Sequence, residues 1–356
     1  MSMVSLLQPF VDSRSLAGAV TLVADKKRTL SLEAVGFANR AANQEMATDS
    51  LFWIASQSKP ITASVLMMLV DEGKVRLDDP VEAYLPEFKD QLLAVEQDAQ
   101  HILLKKPAHP ITVRNALNHT SGMPFSSAVE TPTRDLLPLR LAARSYAMTP
   151  LLFEPDTKFE YSNAGTNTAG CIIEVVSGMP YETFLAQRLL QPLGMKDTTF
   201  RPTAAQVRRI ATSYKPNADK TDLAETRIEQ LTYPLNDPRR QPMPAGGLFS
   251  TARDVGRFCQ MILNEGVFKK ERYLSKEAVS QMTRKQTADS LPNGYGLGWF
   301  TDGVTFGHGG AFSTNMTILP KRGLVLVYLV QHAGFANNGD QAQGVFREAA
   351  EKNYGA

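Results

Sequence analysis

Apolar and polar positions alternate with a short period at both ends of the chain, while the middle carries helical patterns broken by long irregular stretches. Residues 17–38, AGAVTLVADKKRTLSLEAVGFA, predict two strands around the polar turn Asp25-Lys26-Lys27. Towards the other end GYGLGWF (294–300), TNMTILP (314–320) and GLVLVYLVQ (323–331) predict three more, the last entered through Lys321-Arg322-Gly323. The opening SLLQPFVDS and the closing GDQAQGVFREAAEKNY have helical composition.

Between the two β-rich ends, VRNALNHTSGM (113–123), NTAGCIIEVVSG (167–178), YETFLAQRLLQPLG (181–194) and TARDVGRFCQMILNEG (251–266) predict helices, several closed by a glycine. Irregular stretches at 86–111, 123–158 and 213–247 separate them, and loops of that length are commonly walls or lids of a site. The expected architecture is α+β. The terminal strands form one antiparallel sheet under terminal helices, a lobe built from 1–80 and 246–356, and residues 81–245 form a mainly helical, loop-rich lobe. A cleft between the lobes is where a site is expected.

The segment FWIASQSKPITASVLMMLVDEGKV (52–75) predicts a helix from Gln57 to Gly73, with Pro60 in its first turn. Its apolar residues run nearly all round, so the helix is central and its polar first turn stands out. Ser56 and Lys59, three apart, share a face at the N-terminus, where free N–H groups favour developing negative charge. A hydroxyl, an amine to draw off its proton and oxyanion donors are what acyl transfer needs. The plainer reading is a capping serine and a solvated lysine; Ser58 is the second choice of nucleophile.

Two further stretches matter in combination with that turn. In KFEYSNAGTNTAG, Tyr161 and Asn163 lie two apart in a turn-like helix entry, and a neighbouring ammonium would stabilise a Tyr161 phenolate as a base. Asn163 offers an acceptor to Lys59 and a donor to a substrate carbonyl. In VTFGHGGAFSTNMTILP, His308-Gly309-Gly310-Ala311 follows a strand start, and glycines there allow close approach of a ligand. A half-buried aromatic with a turn asparagine, and a Gly-Gly hairpin with a surface histidine, are the plainer alternatives.

Composition narrows the classes. The 356 residues are 43% apolar with a net charge of +2, enough for a substantial core and without a basic stripe for nucleic acid or an anionic membrane. A small neutral substrate is expected. Cys171 and Cys259 sit inside apolar runs without CxxC spacing and read as buried free thiols. The start has no basic n-region with an apolar stretch and cleavage site, and no run approaches the roughly 18 apolar residues of a membrane-spanning helix. Localisation is left open between the cytoplasm and, after removal of a leader, the periplasm or outside.

The order of the three motifs resembles the serine β-lactamase and penicillin-binding-protein superfamily in its class C-like branch, with family VIII carboxylesterases, DD-peptidases and D-amino-acid amidases. Ser56-Gln57-Ser58-Lys59 resembles S-x-x-K, Tyr161-Ser162-Asn163 resembles Y-x-N, and His308-Gly309-Gly310 stands where β-lactamases usually have K-T-G. ITVRNALNHTSGMP, LLQPLGMKDTTF and PAGGLFSTARDVGRF are similar to its framework segments. The resemblance implies a five-stranded antiparallel sheet flanked by helices plus an all-helical lobe. It also implies Ser56 as acylated nucleophile, Lys59 and Tyr161 sharing proton transfers, and an oxyanion hole from the N–H groups of Ser56 and Ala311. Asn163, His308, Gly309 and Gly310 would contact substrate, with no metal or cofactor.

His308 in place of the lysine tilts the expectation from β-lactams towards esters or peptides. The expected function is therefore a serine hydrolase, esterase-like or penicillin-binding-protein-like with weak or no β-lactamase activity. A class C-type β-lactamase, a DD-peptidase or amidase, and a slowly deacylating penicillin-binding sensor are the alternatives. No G-x-S-x-G or H-E-x-x-H motif competes.

Overall fold

Residues 2–291 and 294–355 are described by the computed structural model. Strands β1 (Gly18–Asp25), β2 (Thr29–Asn39) and β3 (Gln44–Glu45) come from the start of the chain. Strands β4 (Phe300–Thr301), β5 (Phe306–Gly309), β6 (Asn315–Leu319) and β7 (Leu324–Leu329) come from its end. They form one antiparallel sheet in the order β4-β5-β6-β7-β1-β2-β3, joined where Val20 pairs with Leu329 and Asp25 with Leu324. Four of the five expected strands correspond to β1, β2, β6 and β7, counting TNMTILP and GLVLVYLVQ, while β3 and β5 are added and GYGLGWF contributes only the first residue of β4.

Alternation explains how the sheet is covered. On β7 every residue is buried: Leu324, Leu326 and Tyr328 pack with Met3, Leu7, Phe10 and Phe346, whereas Val325, Val327 and Leu329 join the core around Phe258 and Ile262. The first set comes from helices α1 (Met3–Asp12) and α7 (Ala342–Tyr354), and the second from α6 (Ala252–Leu263) on the opposite face. Each such side chain removed from water contributes about 1.5–3 kcal/mol. The β1–β2 turn forms because Asp25 Oδ1 accepts the N–H groups of Lys27 at 2.6 Å and Arg28 at 2.7 Å.

The central helix α2 (Ser58–Asp71) follows a 3-10 turn at Ala55–Gln57 and ends before Gly73, as its pattern predicts. From Ser50 to Leu69 every residue is buried except Ser56. Around it lie α3 (Val113–Asn118), α4 (Leu139–Met148) and α5 (Asn163–Ser177). Helix α4 falls in a stretch expected to be irregular; its buried face includes Ala142, Ala143 and Ala147, too small to give a strong apolar signal. Helix α5 starts four residues earlier than predicted because Ser162 Oγ caps it, accepting the Gly165 N–H at 3.3 Å.

GYGLGWF departs from its expectation. Only Phe300 is in a strand, and the preceding residues thread past backbone: Gly298, at φ +81°, puts its Cα where a Cβ would stand 3.0 Å from the Lys59 carbonyl. A side chain is excluded there, so the apparent strand is a loop packed on α2. Cys171 and Cys259 are free and buried.

Two loops are locked together by a buried pair. Arg240 Nε donates to Asp135 Oδ2 at 2.6 Å with both side chains 1% exposed, joining the 123–158 and 213–247 stretches. Charge that is scattered in sequence also converges. Lys26, Lys27, Arg28, Arg253, Lys269 and Lys270 line one surface groove of about 690 Å³, a basic patch that the linear pattern does not reveal. Among the described residues no helix is long and apolar enough to cross a membrane.

Candidate active site

Ser56 sits on a strained turn. Ala55 before it has φ +45°, a left-handed conformation that costs a non-glycine residue about 1–3 kcal/mol. The turn is pinned by the Trp53 N–H to Gln331 Oε1 at 3.0 Å, the Ile54 N–H to the Leu248 carbonyl at 3.0 Å and Trp53 Nε1 to the Gly246 carbonyl at 2.7 Å. Because the first hydrogen bond of the turn is Gln57 N–H to Ile54 carbonyl, the Ser56 N–H precedes the helical ladder. Ser58, the second-choice hydroxyl, is fully buried, donates to the Ala55 carbonyl at 2.6 Å and accepts the Leu248 N–H at 3.3 Å, so its oxygen is already engaged by backbone.

Lys59 is fully buried, contrary to the solvated alternative. Its Nζ lies 3.4 Å from Ser56 Oγ, 2.7 Å from Asn163 Oδ1 and 2.9 Å from the Ala245 carbonyl. Burial, and then the charge of Arg134, hold its pKa well below the ordinary lysine value. No carboxylate compensates among these contacts, so the uncharged amine is favoured.

The Ser56 side chain approaches the Tyr161 oxygen closely enough to lower its pKa, and Lys59 Nζ stands 4.5 Å from the Tyr161 ring centroid. Burial raises the Tyr161 pKa, and the Ser56 contact only partly opposes that. The phenolate expected from a neighbouring ammonium is therefore disfavoured: Lys59 is itself poised uncharged and faces the ring rather than charging beside the oxygen. Aromatic neighbours complete a wall, with His119 at 4.5 Å, Phe300 stacked at 6.1 Å and Phe125 at 6.3 Å between centroids.

The third stretch arrives on β5. Gly309 pairs with Asn315, the Gly310 N–H donates to the Thr314 carbonyl at 2.8 Å, and Thr314 Oγ1 donates to the Ile54 carbonyl at 3.4 Å, tying the strand end to the serine turn. A Cβ on Gly310 would meet Thr314 Oγ1 at 2.2 Å and the Ile54 carbonyl at 2.6 Å. Gly310→Ala is therefore expected to push the strand from the turn and lower turnover at least tenfold while circular dichroism stays native. Wild-type turnover in that variant would show that the close approach is immaterial. Ala311 follows in an exposed turn.

His308 is 3% exposed rather than a surface residue. Its Nδ1 donates to the Gly309 carbonyl at 2.7 Å, so Nε2 accepts from the Tyr295 hydroxyl at 3.2 Å. Burial first, and Lys59 second, bring its pKa down to about 3, so it supplies no cation at neutral pH.

Three participants have no signal in the motifs. The Ala245 carbonyl is backbone, invisible in residue identity. Arg134 comes from a long loop, its guanidinium 4.7 Å over the Phe125 ring. His119, buried at the end of α3, accepts the Ser162 N–H on Nδ1 at 3.2 Å and thereby fixes the Tyr161-Ser162-Asn163 turn. Among the described residues no group of three His, Cys, Asp or Glu side chains is placed to hold a metal ion.

Comparison with known proteins agrees on one family. A family described as Beta-lactamase matches residues 3–350. Penicillin-binding protein 4 of Amycolatopsis lactamdurans is 30% identical over 330 residues, covering 88% of this chain and 79% of that protein. Esterase EstB of Burkholderia gladioli is 28% identical, covering 80% and 74%. Among solved structures, EstCE1, a hydrolase with promiscuous acyltransferase activity, superposes with a TM-score of 0.80 at 24% identity, covering 98% and 97%. That likeness concerns the fold.

Proposed function

The chain belongs to the beta-lactamase family, and from that premise we propose that it is a serine hydrolase working through an acyl-enzyme on Ser56. The observation that carries the reading is the fully buried Lys59, whose amine stands 3.4 Å from the one half-buried residue of its segment. With two N–H bonds directed to Asn163 and Ala245, the lone pair of the neutral amine faces Ser56 Oγ. Lys59 takes the Ser56 proton as the Oγ–carbonyl bond forms, and the N–H groups of Ser56 and Ala311 hold the oxyanion. Tyr161, kept as a phenol, donates to the leaving group as its bond to the acyl carbon breaks, and the proton on Lys59, whose Nζ faces the ring, returns to the Tyr161 oxygen through water in the cleft. Water then enters along the same path in reverse, with Lys59 again the base.

Ser56 and Lys59 come from the sheet lobe, 1–80 with 246–356, and Tyr161 and Asn163 from the lobe 81–245, so the reaction would run in the cleft between them. The substrate is read as a neutral ester, or a peptide-like amide, with weak or no β-lactam turnover. A neutral, buried His308 at the K-T-G position supports this, since it offers no charge to a substrate carboxylate there. A relative named an esterase is consistent with it.

The test is covalent labelling with a fluorophosphonate followed by peptide mapping. The adduct is expected on Ser56, and Ser56→Ala abolishes labelling and turnover; an adduct elsewhere overturns the assignment. Turnover of p-nitrophenyl butyrate is expected to exceed that of nitrocefin by at least tenfold, and the reverse order would give the class C β-lactamase reading.

A further inference from the structure

The carbonyl that faces Lys59 belongs to a residue held from behind. The Ala245 N–H donates to Asn167 Oδ1 at 3.0 Å, and Asn167 Nδ2 donates to the Tyr146 hydroxyl oxygen at 2.9 Å. That hydroxyl donates to Glu130 Oε1 at 2.7 Å, while Glu130 Oε2 accepts the Ser127 N–H at 2.7 Å. Glu130, Tyr146, Asn167 and Ala245 are all buried. Asn167 lies one helical turn beyond Asn163 on α5, so a single helix reaches Lys59 twice, directly and through Ala245.

The donors and acceptors in this chain admit one orientation. An ionised carboxylate only accepts, so Tyr146 gives its proton to Glu130 and its oxygen is left to accept. Asn167 must then turn its NH₂ to Tyr146 and its carbonyl oxygen to the Ala245 N–H. The flipped amide would set two donors against each other at Ala245, leaving a buried N–H unpaired at a cost of about 1–3 kcal/mol. Burial and the Glu130 charge both keep Tyr146 a phenol, preserving the donor at that step.

We propose that Asn167, its amide orientation set by Tyr146 on Glu130, is a positioning residue that holds the Ala245 carbonyl against Lys59 and so aims the lysine lone pair at Ser56. The inference rests on Lys59 being the base for Ser56. The titratable or charged groups around that amine are Tyr161 under it and, at longer range, Arg134, His119 and His308; none belongs to the chain from Glu130 to Ala245.

The experiment measures the rate of fluorophosphonate labelling against pH in the full chain for wild type, Tyr146→Phe, Asn167→Leu and the double variant. Tyr146→Phe deletes one oxygen and keeps the ring. It is expected to slow labelling about tenfold and move the acid limb to lower pH, because a lost acceptor destabilises the ammonium form of Lys59. The double variant should be no slower than Asn167→Leu alone, since Tyr146 acts through Asn167. Ser177→Ala, at the far end of α5 and bonded only to Met179, leaves rate and limb unchanged. Should Asn167→Leu melt below the assay temperature, Glu130→Gln paired with Tyr146→Phe carries the same comparison.

A limb that stays at the wild-type pH in Tyr146→Phe, or additive losses in the double variant, overturns the inference and leaves Ser56 chemistry standing. Labelling that survives Ser56→Ala instead overturns the hydrolase reading beneath it.

Discussion

Lys59→Met is expected to slow acylation of Ser56 by roughly 10²–10⁴-fold, the usual worth of a positioned general base, with the fold retained. Methionine fills the volume of the lysine stem but removes the lone pair opposite Ser56 Oγ and leaves Asn163 Oδ1 and the Ala245 carbonyl without their donor. Rates of fluorophosphonate labelling, with circular dichroism as the check on folding, decide the matter; a rate within threefold of wild type would remove Lys59 from the mechanism.

The pH profile adds an independent readout. Burial lowers the Lys59 pKa, so on the proposed mechanism the neutral amine is present above that lowered value and lost as pH falls through it, giving wild type an acid limb that Lys59→Met is expected to lack. The sign carries over to stability. Between the lowered folded pKa and the ~10.4 of an unfolded lysine, the unfolded chain binds the extra proton, so stability from this group rises with pH across that window.

The second large effect is on stability. Asp135→Ala is expected to destabilise the protein by about 3–5 kcal/mol, because it strands the buried Arg240 guanidinium. Arg240 would keep its bonds to the Phe200 and Leu235 carbonyls, but its charge would have no anionic partner in contact. The same change orphans the Thr232 N–H, which Asp135 Oδ1 accepts at 2.9 Å, and removes one partner of Thr232 Oγ1, at 2.8 Å, leaving that hydroxyl only Thr133 Oγ1 at 2.6 Å. Replacing both partners, as Asp135→Leu with Arg240→Met, should cost markedly less than Asp135→Ala alone. Urea unfolding midpoints of the wild type and both variants measure these differences. A single variant within 1 kcal/mol of wild type would mean that the two loops are held by packing instead.

Several elements were legible in the sequence because one physical signal dominated each. The β1–β2 hairpin follows from alternation broken by Asp25-Lys26-Lys27, and α2 follows from an apolar run entered by Pro60 and left at Gly73. GYGLGWF misled because alternation was supplied by glycines. Their role is to let backbone pass backbone, Gly296 at the Met282 carbonyl and Gly298 at the Lys59 carbonyl, a constraint from distant segments that no local period encodes. Helix α4 was missed for the opposite reason, since its packing surface is largely alanine.

For the candidate site, the sequence by itself supplied the residue types, order and spacing of Ser56, Lys59, Tyr161, Asn163 and His308, since an i, i+3 pair at a helix start is a local geometry. Tertiary structure decided which of them can do what. Ser58 differs from Ser56 only in being turned inward and hydrogen-bonded, and Lys59 differs from a solvated lysine only in being enclosed. Enclosure also sets the charge states, bringing His308 down to about 3 and keeping Tyr161 a phenol. The Ala245 carbonyl, the Glu130 to Asn167 chain behind it and the convergence of scattered cations on one groove join residues far apart in sequence. Hydrogen bonding and electrostatics depend on distance in space, which the chain acquires only when it folds.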